Sequence, residues 1–354
     1  MQSQKEGVSM GHKFFNNNIL GVRSIVILFT ISMLFVNLNI AKANSDDIDK
    51  EEAFDAGDMI MHHILDSHVW HLWDGHYGTI PLPVIVFSKE RGLDIFSSAN
   101  FFDEHHNSVE YNGYKLEHEH ISLTNGGQVY DFSITKNVAA LFIIATLMLL
   151  IFISVARGFK KNTGKAPSGI QSFFEPVIIY IRDEVIKPNI GHGYEKFVPY
   201  LLSLFFFIWF GNLFGLIPGS ANLTGNIAVT ATLAIFTFFI TNINGNANYW
   251  KHIFWTPGVP LPIRFIILPV EIIGIITKPI SLMIRLFVAI SAGHIVILSL
   301  IAMAFIFQSW AVGIGSSIIL VFINLIEILV ASIQAYVFTI FTAVYIGLAT
   351  EEAH

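Results

Sequence analysis

The chain has 354 residues and a formal net charge of −6; 53% of its residues are hydrophobic and only 13% are charged. A soluble domain carries about 25% charged residues. The composition therefore excludes a soluble globular protein, a disordered chain and a nucleic-acid binder, which would need a basic face. The absence of cysteine excludes disulfides, thiolate metal sites and cysteine nucleophiles. Several membrane spans are the interpretation that remains.

Residues 1–43 have the pattern of a secretion signal. Two basic residues, Lys13 and Arg23, precede an apolar run that is short for a membrane span. Ala41 and Ala43 then stand two positions apart, as a signal peptidase requires. We expect cleavage after Ala43, with an uncleaved anchor as the alternative. In both cases the chain that follows begins outside the cytoplasm.

Residues 44–135 have the composition of a small extracytoplasmic domain of the α+β type. Residues 44–120 contain 16 of the 26 acidic groups and nine of the 14 histidines. Asp46 to Asp58 indicate an acidic linker or the start of a helix, and Val84 to Phe87 predict a strand. Asn112-Gly113 predicts a hairpin, because both residues tolerate the positive φ of its turn.

The histidines of this domain raise the question of a metal site, because neutral imidazole binds Zn²⁺ and Cu²⁺ well. Their spacing fits no single site, and a solvated polar patch interleaved with tryptophan explains the same pattern. We therefore predict no metal centre. The residues that remain as candidate ligands are His62, His63, His68 and His71.

Apolar runs predict five transmembrane helices, at about 138–156, 197–217, 226–243, 265–307 and 311–349. The last two are about 40 residues long, twice the roughly 20 residues that a crossing needs. They are either broken into re-entrant pieces or strongly tilted against a protein partner within the bilayer. Residues 170–187 predict one amphipathic helix that lies in the interface. The predicted fold is thus an all-α polytopic membrane domain over residues 136–354.

Basic residues orient these spans. The loop from Arg157 to Lys196 carries seven basic residues and the loop 244–264 carries two, whereas the connections 218–225 and 308–311 carry none. By the positive-inside rule, the two basic loops face the cytoplasm. Five crossings then lead from an outside N-terminus to a cytoplasmic C-terminus, in agreement with the predicted signal peptide.

Arg285 is the most informative charge in the membrane region, because no acidic residue lies within ten positions of it. An arginine at the bilayer centre costs about 2.5–3.5 kcal/mol even on lenient insertion scales, and it cannot lose its proton. Apolar residues flank it on both sides, which argues against a side chain that reaches the interface from a helix end. We therefore expect Arg285 to face water, a carboxylate or a pore.

Three further polar residues, His294, Glu327 and Gln334, lie within the last two apolar runs. His294 can titrate near neutral pH, and Glu327 and Gln334 are seven residues apart and share one helix face. A carboxylate, an imidazole and an amide in hydrocarbon together predict a proton relay. Taken singly, each of them could also be a packed polar group.

Glu271, Lys278 and Arg285 follow one another at seven-residue intervals and lie on one stripe of a helix. Glu271 and Lys278 are secondary candidates for the relay, since interface charges near the cytoplasmic end would explain them equally well. Asn212 adds a polar group to the second predicted span and is a further candidate for proton translocation. It lies inside a Gly-x-x-x-Gly segment, which has the small-xxx-small spacing of helix contacts.

Several segments occur in the order that a known family shows: Phe210-Gly-Asn212-Leu, Pro269-Val-Glu271, Lys278-Pro-Ile-Ser-Leu-Met-Ile-Arg285-Leu-Phe, Ala292-Gly-His294, Glu327, Ile333-Gln334-Ala-Tyr-Val-Phe and Ala343-Val-Tyr345. On these segments, residues 135–354 resemble the a subunit of the membrane (Fo) sector of F-type ATP synthase. The domain that precedes them is not explained by the resemblance.

The resemblance implies a non-catalytic stator subunit that conducts protons. The last two helices would lie tilted against a rotating ring of c subunits, and Arg285 would face the c-subunit carboxylate between two offset aqueous half-channels. Gln334 would lie close to Arg285. His294 and Glu327 would line the half-channel that opens to the outside. Proton flow would then rotate the ring and drive ATP synthesis elsewhere in the complex.

The same resemblance implies no cofactor. The implied partners are the c ring, the peripheral stalk of b subunits, the rest of the ATP synthase and membrane lipid, but no nucleic acid. The implied location is the inner membrane of a bacterium. One departure concerns Val288-Ala289, where the family usually has a small residue and then Asn. It leaves the role of Arg285 intact but removes an amide from the local water path.

Two readings from other classes are alternatives. A metal-ion transporter would use the histidine-rich domain to capture its ion, and it would need several carboxylates or histidines in mid-span. The spans offer only His294 and Glu327, beside the fixed positive charge of Arg285. An intramembrane hydrolase would need a Ser/His or a paired-Asp site, and no aspartate follows Asp183.

Overall fold

The computed structural model describes residues 57, 66–71, 78–103, 108–117, 119–162, 165–217, 219–255, 260–307 and 309–351. The predicted signal peptide, His62 and His63 lie outside these residues, and so does the side chain of His71. Residues Ile297–Leu325 belong to a different compact unit from residues Met59–Val296 and Ile326–His354. The candidate site residues all lie in the second of these units.

Seven short strands lie in the described residues before 135: β1 (Val69–His71), β2 (Thr79–Pro81), β3 (Pro83–Ser88), β4 (Gly92–Ser97), β5 (Tyr114–Glu117), β6 (His120–Leu123) and β7 (Val129–Asp131). We call this region the β domain. β1 pairs with β2, β5 pairs with β6, and β3 lies between β4 and β7, all antiparallel. The strand predicted over Val84 to Phe87 is confirmed within β3. So is the hairpin turn, in which Asn112 and Gly113 have φ of 52° and 70°.

Eight α-helices lie in the described part of the chain after the β domain: α1 (Lys136–Lys161), α2 (Ile170–Tyr180), α3 (Lys187–Ile190), α4 (Val198–Gly215), α5 (Ile227–Ile243), α6 (Ala247–Phe254), α7 (Leu261–Phe307) and α8 (Trp310–Thr350). A π-helical turn, Ile181–Ile186, joins α2 to α3. Four of the helices (α1, α4, α7 and α8) are long and apolar enough to cross a membrane, and α5 with α6 makes a fifth candidate if that bent pair is one span. The chain is therefore a polytopic helical membrane protein.

The two long apolar stretches are continuous helices and are not broken into re-entrant pieces. α7 has 47 residues and α8 has 41. At 1.5 Å per residue these lengths are roughly 70 and 60 Å, about twice the 30 Å of a hydrocarbon core. α7 stays helical through Pro269 and Pro279. Both prolines are thus accommodated within the helix, as is common in membrane-spanning helices.

Two local expectations differ from the structure. The loop predicted over 244–264 contains α6, an eight-residue helix. The Gly-x-x-x-Gly segment of α4 does not face another long helix: Gly211 lies against Leu223 and Thr224, and Gly215 lies against Asn222. The small residues instead admit a 3-10 turn, Leu223–Gly225, that leads into α5.

Aromatic packing holds the first membrane helices together. The ring centroid of Phe206 on α4 lies 4.7 Å from that of Phe152 on α1 and 5.8 Å from that of Phe174 on α2. The same apolar core includes Leu282, Leu286 and Ile290 of α7 and Ala335 and Phe338 of α8. One side of α7 is thus fixed against the other helices, and this sets the orientation of the charged side chains that flank it.

The β domain is fastened to the ends of the membrane helices. The Asp66 carboxylate accepts hydrogen bonds from the Asn137 N–H (3.1 Å) and the Thr135 hydroxyl (2.8 Å), at the first turn of α1. The Trp70 indole N–H donates to the Gly219 carbonyl oxygen (2.7 Å), beyond the end of α4. These contacts fix the domain to both the α1 entrance and the α4–α5 connection.

Candidate functional site

Arg285 lies at the margin of the apolar face of α7. Its neighbours Leu282 and Leu286 are buried, while Arg285 itself is half-buried. The guanidinium carbon lies 4.4 Å from the centroid of the Phe341 ring on α8, a cation–π contact. Within the described part of the chain, Arg285 forms no ion pair. Because arginine keeps its charge, the charge is held in place by an aromatic ring and is not neutralised by a carboxylate of these residues.

α7 and α8 also meet on either side of this contact. Toward the start of α7, the Lys278 ammonium lies 5.5 Å from the centroid of the Tyr345 ring on α8. Toward its end, Gly293 lies against Glu327 of α8. The two helices therefore run antiparallel past one another, with the charged side chains of α7 on aromatic rings of α8. Glu271, seven residues before Lys278, is half-buried on the same stripe.

Glu327 is a buried carboxylate at a close approach of α7 and α8. It is 4% exposed, and neither carboxylate oxygen has a hydrogen-bond partner among the described residues. A Cβ added at Gly293 would lie only 2.8 Å from the Glu327 Oε1 atom, so that a larger residue would require the carboxylate to move. A buried carboxylate without hydrogen bonds costs free energy unless it is protonated or hydrated. A group that takes up and releases protons needs access to one of these two states.

His294 and Gln334 lie on the same pair of helices. His294 directly follows Gly293 and is half-buried, so its backbone lies beside the Glu327 carboxylate. Gln334, also half-buried, lies seven residues from Glu327 and seven from Phe341, on one stripe of α8. No hydrogen bond joins Gln334 to Arg285 within the described residues. Along α8, Gln334 lies between the acid and the ring that holds the arginine.

Both polar atoms of the Asn212 side chain form hydrogen bonds inside the protein. Its side chain is 1% exposed. The Nδ2 atom donates to the Ala331 carbonyl oxygen of α8 (3.1 Å), and the Oδ1 atom accepts from the Thr224 hydroxyl (2.5 Å). Asn212 therefore ties α4 and the following turn to α8, four residues beyond Glu327. These bonds give Asn212 a structural role, and its predicted part in proton translocation stays a prediction.

A second hydrogen bond between α4 and α8 was not predicted from the sequence. The indole N–H of Trp209 donates to the Ser332 hydroxyl oxygen on α8 (3.0 Å). Trp209 and Asn212 are three residues apart and therefore share one face of α4. That spacing was the available signal, because two hydrogen-bonding side chains on one face of an otherwise apolar helix indicate a polar seam to a neighbour.

His68 lies in an ion cluster of the β domain. It is 3% exposed; its Nε2 atom lies 2.9 Å from Asp131 Oδ2, and its Nδ1 atom lies 3.7 Å from Glu119 Oε2. Burial by itself lowers the pKa of His68, but the hydrogen bond to Asp131 and the negative charges of Asp131 and Glu119 outweigh it and raise the pKa to about 9. His68 is thus an imidazolium between two carboxylates. No group of three or more histidine or carboxylate side chains in the described ranges has an arrangement that fits a metal ion.

Comparison with known proteins gives two family matches. Residues 139–347 match the family described as ATP synthase A chain, and residues 59–140 match a domain of unknown function, DUF8433. ATP synthase subunit a 2 of Chlorobium luteolum is 42% identical over 304 residues, which cover 83% of this chain and 76% of that protein.

Two further relatives carry the name ATP synthase subunit a. The protein of Chloroherpeton thalassium is 45% identical over 237 residues, which cover 64% of this chain and 71% of that protein. The protein of an Anaeromyxobacter species is 36% identical over 300 residues, which cover 82% and 70%. These names give no support to a metal-ion transporter. The chain belongs to the ATP synthase A chain family, as a multi-pass, non-catalytic subunit of the proton-translocating Fo sector of F-type ATP synthase.

Proposed function

We propose that this chain is the stator that separates two aqueous half-channels against the rotating c ring, with Arg285 facing the c-subunit carboxylate. The observation that carries the proposal is Arg285 itself: a permanent charge in mid-helix, stacked on Phe341, with no ion pair among the described residues. A carboxylate that passes on a neighbouring chain would supply the missing partner and would be held ionised while it passes.

The energetics favour this arrangement. Each proton that crosses the membrane releases about 2.3 kcal/mol per 100 mV. The release does work only if protons cannot pass directly from one half-channel to the other. A fixed positive charge between the half-channels repels protons and forces them onto the carboxylates of the ring. Rotation of the ring then couples proton flow to ATP synthesis.

Glu327 and His294 are the proposed acid–imidazole pair of the half-channel that opens to the outside. The buried carboxylate at Gly293 supports this assignment, since its oxygens form no hydrogen bond within the described residues and remain available to water or to an imidazole. Asn212 would hold α8 in register with α4 at this depth. Gln334 would lie on the route toward Arg285, and Glu271 and Lys278 would lie at the cytoplasmic end of α7.

The proposed membrane arrangement has five spans (α1, α4, α5, α7 and α8), with α2 and α3 in the interface and α7 and α8 strongly tilted against the ring. The chain would lie in the inner membrane of a bacterium, with its N-terminus outside and its C-terminus in the cytoplasm. The signal peptide over 1–43, the extracytoplasmic domain over 44–135 and the membrane domain over 136–354 are the proposed divisions. The b-subunit stalk would be a second partner.

ATP-driven acidification of inverted membrane vesicles tests the proposal. Arg285→Ala is expected to abolish acidification while the complex remains assembled, because the half-channels are then no longer separated. Arg264→Gln is the matched control: this second arginine of α7 stacks on Trp255, at 3.9 Å from its ring centroid, and its replacement should leave pumping intact. Undiminished acidification by Arg285→Ala would contradict the proposed role.

A further inference from the structure

α6 lies nearly at right angles to the helix before it. α5 ends at Ile243, and α6 begins at Ala247 after a bend of 102°. The corner is held by side chains: the Tyr249 hydroxyl donates to Asn242 Oδ1 (3.0 Å), and the Lys196 ammonium donates to Asn244 Oδ1 (2.6 Å). If α5 crosses the membrane, a helix fixed at about a right angle to it lies parallel to the membrane plane.

The short helix α6 has three distinct sides. Ile253, 3% exposed, and Tyr249, four residues earlier, face the protein. Trp250 and Phe254 form what we call the apolar flank: their rings stack at 6.0 Å and 15°, yet they are 36% and 54% exposed. An exposed aromatic pair of this kind is unusual on a surface that faces only water.

The opposite side of α6 is polar. Its exposed residues, which we call the polar flank, are Asn248, Lys251 and His252. At 100° per residue, the centres of the two flanks are about 130° apart around the helix axis. A helix with one side on protein, one apolar flank and one basic polar flank has the pattern of a helix in the lipid–water boundary, where tryptophan and lysine are favoured.

The apolar flank continues a surface that faces lipid. α5 exposes Ile235, Phe236, Phe239 and Ile243 along one side, and Ile243, the last of them, is 78% exposed. The chain turns into α6 directly after Ile243. The occupant of the apolar flank is therefore the same lipid that covers α5, at the depth where the hydrocarbon ends.

α6 is also tied to the end of α8. The N–H of Asn246 donates to the Ala349 carbonyl oxygen (2.8 Å), and its side-chain Nδ2 donates to the Thr350 carbonyl oxygen (2.6 Å). The last carbonyl groups of a helix have no partner within the helix. Asn246 thus caps the C-terminus of the helix that carries Glu327 and Gln334.

We propose that α6 is a membrane anchor that lies in the cytoplasmic lipid–water boundary and holds the C-terminal end of α8 at that depth. The inference deepens the proposed function, on which the cytoplasmic side rests. A ring that rotates against α8 exerts a force on it. Because α6 is embedded in the lipid–water boundary, it resists displacement of α8 along the membrane normal. Lipid around Trp250 and Phe254 holds α6 at this depth, and the hydrogen bonds of Asn246 connect α6 to the end of α8.

Spin labels on the full chain in the assembled complex test the anchor. The chain has no cysteine of its own, so Trp250→Cys, Phe254→Cys, Asn248→Cys and His252→Cys each place one label in this subunit, and the complex without an introduced cysteine supplies the background. Labels at 250 and 254 should be accessible to oxygen and shielded from an aqueous nickel chelate. Labels at 248 and 252 should show the reverse.

Two label patterns would overturn the proposal. Equal access of the nickel chelate at all four positions would place α6 in water, and shielding of 250 and 254 from both reagents would place a protein partner there. Phe254→Cys reports the same flank if Trp250→Cys fails to assemble. A membrane-impermeant maleimide should label Asn248→Cys in inverted vesicles. Labelling only in vesicles of the opposite orientation would refute the cytoplasmic side.

Hydrogen exchange at the end of α8 tests the tie. Asn246→Ala removes the side-chain hydrogen bonds to the Thr350 and Glu351 carbonyl oxygens (2.6 and 3.5 Å) and should speed exchange of the last α8 amides about fivefold. Asn248→Ala, the same change on the polar flank, should leave that exchange unchanged. Equal effects of both variants, or no effect of Asn246→Ala, would refute the tie. None of these readouts depends on proton conduction. The experiments can therefore refute the α6 anchor without refuting the role of Arg285, and the acidification test can refute that role without refuting the anchor.

Discussion

Replacing His68 tests whether the β domain is held together by a buried ion cluster. The pKa of His68 rises from its ordinary 6.5 to about 9 in the folded chain. Since each pKa unit corresponds to about 1.4 kcal/mol, the rise is worth about 3 kcal/mol of domain stability. A group whose pKa is higher in the folded than in the unfolded chain makes its full contribution to the free energy of unfolding below the pKa of the unfolded chain. The contribution should therefore be complete below pH 6.5 and be lost as the pH rises to about 9.

The two carboxylates set the acid limit. Burial alone would raise the pKa values of Glu119 and Asp131, but their hydrogen bonds, first of all with His68, lower both values below their ordinary range. Their contribution is present above the ordinary carboxylate pKa and is lost as the pH falls through the lowered values. Domain stability is thus expected to be greatest in weakly acidic solution, between the two limits.

Hydrogen exchange of β1 and β7 amides, in the full chain in lipid nanodiscs and corrected for intrinsic rates, measures this. His68→Gln should lower the opening free energy by about 3 kcal/mol at pH 6, and the difference from wild type should nearly vanish at pH 9. His120→Gln, an exposed histidine of the same domain, is the control and should change nothing. Wild-type protection that does not vary between pH 6 and 9 would refute the reasoning.

Two further variants test the contacts of α8. Gly293→Ala would place a methyl group 2.8 Å from a Glu327 oxygen, so the carboxylate must move aside; we expect weaker vesicle acidification with little change in melting, whereas Gly274→Ala, in open space on the same helix, should leave acidification unchanged. Asn212→Leu removes the donor to the Ala331 carbonyl and should cost about 1–3 kcal/mol in thermal unfolding. Unchanged acidification by Gly293→Ala would contradict a role of the Glu327 position in proton transfer, and unchanged melting of Asn212→Leu would mean that its hydrogen bond does not stabilise the fold.

The long helices and the special environment of Arg285 could be predicted from sequence, because each follows from local features: an apolar run and one permanent charge within it. An uninterrupted apolar run of twice the membrane thickness can only be buried in lipid or protein, and a permanent charge within it needs an external reason. The predicted runs 265–307 and 311–349 agree with α7 and α8 to within a few residues. Nothing about these features depends on knowing which distant residues come together.

The hydrogen bonds of Asn212 and the existence of α6 could not be predicted, because both depend on distant partners. Asn212 donates to a carbonyl 119 residues away, and Asn246, which precedes α6, caps a helix end 104 residues away. An eight-residue helix is too short to be stable alone. Its sequence therefore resembles a loop until its neighbours are known.

The histidines of the β domain illustrate the same limit. Composition alone suggested either a metal site or a solvated patch. His68 is not solvated in the structure, since it is buried between the carboxylates of Glu119 and Asp131. Those partners are 51 and 63 residues away in the chain. β7 and the turn before β6 belong to different sheets, and only the folded domain brings them together around His68.

Passive proton flow through the membrane sector tests the central claim most directly. Vesicles that retain the membrane sector but not the catalytic head are given a potassium-diffusion potential, and proton uptake is followed with wild-type and Arg285→Ala chains. If Arg285 separates the half-channels, the variant should still conduct protons passively although its ATP-driven pumping is lost. Loss of both, with the complex assembled, would show that Arg285 does not act as the barrier between them, and retention of pumping would contradict the account altogether.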